Sequence, residues 1–89
     1  MARFIAIHTV RGITEEQFTE ALALVHSWRP NGRTTILKVY CDLEEGRLVS
    51  ECEAVERSHF EEWVKQVGWP ADAIFQVDLI HQVGNIWKM

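Results

Sequence analysis

Eighty-nine residues with a formal net charge of -4 suit one domain and exclude two. Charged residues, 25% of the chain, are scattered rather than gathered into a basic stripe, which argues against a nucleic-acid surface, and no apolar run approaches the roughly 20 residues of a membrane span. Apolar residues make up 47%, with four Trp and four Phe, enough for one layer of helices on one sheet and some apolar surface left for a partner.

Residues 3–10, rich in Ile, Val and Phe, predict a first strand that Gly12 ends. The apolar run from Phe4 to Ile7 is too short for a signal peptide and is stopped by His8 and Arg11, so the cytoplasm is the expected location. Thr14, three residues before Gln17, has the spacing of a capping box, and Glu15 and Glu16 suit the positive end of a helix running to about residue 29. Phe18, Leu22, Val25 and Trp28 recur at helical spacing and mark its buried stripe. Pro30-Asn31-Gly32 breaks the helix, and Arg29 and Arg33 around it read as a solvated loop.

Residues 34–42 and 47–54 predict two strands joined by a hairpin turn at Glu44-Glu45-Gly46. Ser58, three residues before Glu61, predicts a second capping box. The helix it opens, residues 58–67, faces Phe60, Trp63, Val64 and Val67 inward, with Gly68 as a left-handed cap and Pro70 beyond. Residues 74–81 predict the last strand. The tail 82–89 lies outside this pattern as a C-terminal extension carrying Ile86 and Trp87.

Strand, helix, two strands, helix, strand predicts an α+β domain over 1–89 of the ferredoxin-like kind, βαββαβ. Its four-stranded antiparallel sheet takes the order 4-1-3-2 with two helices on one face. Cys41 and Cys52 have no CxxC spacing and read as small buried hydrophobes.

Side chains alternate across a strand, so each strand splits into two sets. Ile5, Ile7, Leu37, Val39, Cys41, Leu48, Ser50, Cys52, Phe75, Val77 and Leu79 form an almost wholly apolar set, expected under the helices. The other set mixes apolar with titratable side chains: Phe4, Ala6 and His8; Ile36, Lys38 and Tyr40; Val49, Glu51 and Glu53; Ile74, Gln76 and Asp78. Such a face suits pairing with a second copy around a polar pocket lined by Lys38, Tyr40, Glu51 and Asp78. Taking the first and third strands as parallel neighbours places His8 beside Glu53. The hairpin sets Lys38 across from Glu51 and Tyr40 across from Val49.

Five segments follow in order: Phe-Ile-Ala-Ile-His at 4–8, Gly-Ile-Thr-Glu-Glu-Gln at 12–17, Glu-Glu-Gly-Arg-Leu-Val at 44–49, Glu53-Ala54, and Gly-Trp-Pro-Ala-Asp-Ala-Ile at 68–74. Together they resemble a bacterial family of small nickel-binding or nickel-responsive proteins, largely a domain of unknown function. The resemblance implies a homodimeric α/β barrel made by two sheets meeting face to face. It also implies a divalent metal such as nickel, with His8 and Glu53 matching the family's strand-end histidine and third-strand glutamate. The family carries further donors where this chain has Leu22, Val25, Ser50, Val64 and Trp69.

Three functions follow as expectations. The first is a metal-binding dimer using His8 and Glu53. The second is a cofactor-free enzyme, monooxygenase- or isomerase-like, in which a His–carboxylate pair serves as general base. The third is a structural or ligand-sensing dimer without catalysis. His26, His59 and His81 read as surface residues, and neither nucleic acid nor membrane is an expected partner.

Overall fold

A computed structural model describes residues 1–26 and 34–89. In chain order the elements are β1 (Ala2–Thr9), α1 (Glu15–His26), β2 (Thr34–Asp42), β3 (Arg47–Ala54), α2 (Arg57–Val67), β4 (Ala71–Val77), β5 (Leu79–Gln82) and β6 (Asn85–Lys88). Strands β1 to β4 form one antiparallel sheet in the order β2-β3-β1-β4, while β5 and β6 form a separate two-stranded sheet. Among the described residues no helix is long and apolar enough to cross a membrane. Trp28 and the Arg29–Arg33 turn lie outside the described residues, as do the side chains of Val25 and His26.

Helix α1 begins where its capping box forms. The Thr14 backbone N–H donates to Gln17 Oε1 at 3.0 Å and the Gln17 N–H donates to Thr14 Oγ1 at 3.1 Å, so two otherwise orphaned amides are satisfied. The second expected box does not form. Helix α2 starts one residue earlier, with Glu56 at the N-cap and no side-chain cap, and Ser58 sits inside the first turn, donating to Glu56 Oε2 at 3.4 Å. Glu61 instead meets Arg57 at 3.4 Å, one turn away. At the other end Gly68 adopts the left-handed conformation and its N–H closes on the Val64 carbonyl.

The β2–β3 turn is tied to the end of β1. Asp42 Oδ1 accepts from the Glu44 and Glu45 amides, and the Val10 N–H donates to the Gly46 carbonyl at 2.6 Å. A Cβ on Gly46 would stand 2.6 Å from the Val10 oxygen, and its φ of +68° is strained for any other residue. Only glycine lets the two chain segments meet here.

The core lies between the sheet and both helices. Phe4 and Ala6 of β1, Leu48, Cys52 and Ala54 of β3, and Phe60, Trp63, Val64 and Val67 of α2 are buried, with Phe18 and Leu22 of α1 packed against them. An aromatic ladder runs through it. Phe4 meets Phe60, Phe60 stacks on Trp63, Trp63 meets Trp69 edge-on, and Trp69 stacks on Phe18 at 5.7 Å. Such ring pairs add about 0.5–1.5 kcal/mol each beyond area burial.

Three face assignments and one strand boundary need correction. In β1 the helices cover Phe4, Ala6 and His8, and Ile5 and Ile7 lie on the open face. In β4, Ile74 packs on the core and Phe75 is exposed. In β2 a register shift between Ile36 and Lys38 lets both Ile36 and Val39 reach the core, while Leu37 is exposed; a bulge of this kind resets the alternation. Finally, β4 spans 71–77, not 74–81, and Leu79 and the tail build the β5–β6 hairpin. Apolar residues occupy both sides of β1 and β4, so alternation alone left their orientation undetermined.

Candidate functional site

Antiparallel pairing of β1 with β3 decides the fate of the expected His8–Glu53 pair. His8 lies opposite Leu48, whereas Glu53 lies opposite Arg3 at the far end of the same ladder. The two side chains also leave the sheet on opposite faces, His8 into the core and Glu53 onto the open side. The expected juxtaposition rested on a parallel register. A strand that returns through one helix and then a hairpin arrives antiparallel to the first.

His8 is fully buried. Its Nε2 shares a 2.8 Å hydrogen bond with Ser50 Oγ, the diagonal neighbour on β3, and its ring meets Trp69 edge-on at 5.6 Å. Nδ1 is buried without a hydrogen-bond partner. Burial pushes the His8 pKa below its ordinary value, against the opposing pull of the Trp69 and Pro70 backbone and the Asp72 carboxylate. The imidazole is therefore neutral at physiological pH. A neutral imidazole beside a hydroxyl has the make-up of a base and a nucleophile, but Ser50 is as completely buried as His8, so the pair is a core hydrogen bond.

The titratable residues that do assemble lie on the open face. Arg3 Nη1 donates to Glu51 Oε2 and Arg3 Nη2 to Glu53 Oε1, both at 2.8 Å. One guanidinium bridges two carboxylates two residues apart on β3, and the hydrogen bond to Glu53 leads the causes that raise the Arg3 pKa further. Lys38 stands across from Glu51 and Tyr40 across from Val49, as expected. Asp78 does not join them; it is exposed between β4 and β5, where its carbonyl accepts from the Met89 N–H. Arg3 is the residue missed. The antiparallel register would have found it, since it sets Arg3 opposite Glu53.

Around this cluster Ile5, Ile7 and Val49 are half-buried, and Tyr40 and Phe75 are exposed at 57% and 46%. With both helices on the other side, nothing among the described residues covers this apolar strip. A groove at one end of the sheet, lined by Thr9, Arg11, Gly12, Glu44, Glu45 and Arg47, balances two cations with two carboxylates and favours neither sign of ligand.

His8 and Glu53 do not fit a shared metal ion. One is sealed under the helices with Nε2 engaged by Ser50, and the other is held by Arg3 on the opposite face. Among the described residues no three His, Cys, Asp or Glu side chains converge as ligands. Neither thiol is activated as a nucleophile. Cys41 is raised, chiefly by burial, and burial pushes Cys52 up to about 12.

No protein-family model and no curated protein matches the chain. Among solved structures it is similar to the crystal structure of SCO4226 from Streptomyces coelicolor A3(2), with a TM-score of 0.78 and 21% identity over 90% of this chain and 100% of that one, a likeness of fold: two helices on a four-stranded antiparallel sheet.

Proposed function

We propose that the chain works as a homodimer in which two ferredoxin-like sheets pair through their open faces, a structural or ligand-sensing dimer and not a catalyst. One observation carries this reading. Among the described residues the sheet is covered by helices on one side only, and its other side presents Ile5, Ile7, Val49, Tyr40 and Phe75 around the Arg3–Glu51–Glu53 cluster. A contiguous apolar strip rimmed by polar groups marks an interaction surface.

Charge favours a second copy as the occupant. Arg3 and Lys38 balance Glu51 and Glu53, so these four charged groups of the face sum to zero. In a two-fold pairing the same patch meets itself, and a neutral, mixed-sign patch does so without like-charge repulsion. A nucleic acid or a strongly acidic protein would call for a basic face.

Sedimentation velocity of the full chain at micromolar concentration should give the dimer mass. Ile7→Glu places a charge in the strip and should give a monomer with an unchanged far-UV spectrum. A monomeric parent protein at those concentrations refutes the reading.

A further inference from the structure

Resting on that dimer, we infer that the β5–β6 hairpin is an arm with which each copy grips the body of the other. The hairpin bonds to neither edge of the main sheet. It exposes large apolar side chains, with Leu79, Ile86 and Trp87 between 55% and 68% accessible and Val83 at 90%. An isolated two-stranded hairpin is at best marginally stable in water, and apolar side chains on both its faces give it no dry side of its own. Ile80 and Trp87 share one face, and His81 and Ile86 the other.

Position, area and charge select the second copy as the occupant. Val77, at the end of β4, lies opposite Arg3 in the ladder, so the hairpin leaves the sheet at the end that carries the Arg3–Glu51–Glu53 cluster. Four strands about 4.8 Å apart and roughly 26 Å long give that face a footprint of about 500 Å2. A standard-size specific interface buries about 800 Å2 of accessible surface per partner. The sheet's planar footprint is smaller than that, and an arm adds to it. Lys88 is the sole formal charge in residues 79–89; removing that +1 from the total of -4 leaves residues 1–78 at -5. The arm thus carries none of the body's acidic excess. Trp87 is the aromatic anchor type that dominates binding at such contacts.

Dimer dissociation constants of the parent chain, the double variant Ile86→Ser/Trp87→Ser and Ile7→Glu test this, with far-UV spectra checking that each is folded. The arm variant should dissociate about 30-fold more readily or worse. In a mixed sample of labelled and unlabelled chains, isotope-filtered NOEs should connect the Trp87 ring to the other copy. An unchanged dissociation constant in the arm variant, or Trp87 contacts confined to its own chain, overturns the arm and leaves sheet pairing standing. Loss of the dimer in the arm variant with no effect of Ile7→Glu supports the arm and overturns sheet pairing. A monomeric parent chain overturns both.

Discussion

The same strands build two faces that solve the problem of polar groups differently. Under the helices, Phe4, Ala6, Leu48 and Cys52 pack with α2, and a buried polar pair beside them, His8 with Ser50, is neutral and hydrogen-bonded to itself. On the open face, charged groups sit among apolar ones and are held by Arg3 at half-exposed positions. Burial forbids charge on the first face and leaves the second free to carry both signs. Side chains of equal size should therefore matter very unequally on the two sides.

Phenylalanine truncation sharpens that contrast most. Phe60→Ala empties a fully buried site beneath Phe4 and Trp63 and should cost about 3–5 kcal/mol in urea unfolding. Phe75→Ala, on the open face, should cost under about 1 kcal/mol when measured on dilute monomer. Equal losses would show that the open face is packed within the single chain.

Ser50→Ala comes next. It strands His8 Nε2 in the core and should cost about 1–3 kcal/mol. The same histidine sets a pH dependence. Its folded pKa lies below the ordinary 6.5, so as pH falls past that value the unfolded chain takes up a proton that the folded chain refuses. This contribution is intact above about pH 6.5 and is lost as pH drops through the folded pKa. Urea midpoints measured across that range should fall with pH, and His8→Gln should flatten the slope.

Val83 and Gly84 form the two-residue hairpin turn with φ of 52° and 81°. A β-branched residue there is strained by about 1–2 kcal/mol, and Asn-Gly is the favoured pair. Val83→Asn should raise hydrogen-exchange protection of the β5–β6 amides by up to about 1 kcal/mol. Least is expected of Arg3→Gln: a half-exposed ion cluster contributes at most about 1 kcal/mol, and its loss should fade further in high salt.

Legibility followed the strength of local signals. Thr14 and Gln17 announced a helix start that the hydrogen bonds reproduce, and β2, with Ile36, Val39 and Tyr40, and β3, joined to it by the Glu44-Glu45-Gly46 turn, fall where the sequence sets them. Ser58 misled because the i,i+3 spacing also occurs inside a first turn, and nothing local separates the two. The faces of β1 were not legible, since Phe4 and Ala6 are as apolar as Ile5 and Ile7. Only β3, where Glu51 and Glu53 alternate with Ser50 and Cys52, says which way the sheet turns, and its message reaches β1 only through the correct register. Of the candidate site, Glu51, Glu53, Lys38 and Tyr40 share a face as read, His8 belongs to the core, and Arg3 joins through a pairing across almost fifty residues.

Cys52 provides a clock. A thiol pushed up to about 12 and sealed beneath α2 does not ionise or meet a reagent while the chain is folded, whereas Cys41, half-buried on the edge strand β2, is reached by smaller openings. Alkylation kinetics on the native protein should therefore separate into two phases, the slower of which times the parting of helix from sheet. Placing a charge in the open face should leave that slow phase almost unaltered in the monomer, so one sulfur already in the chain can tell a dimer that comes apart from a domain that comes undone.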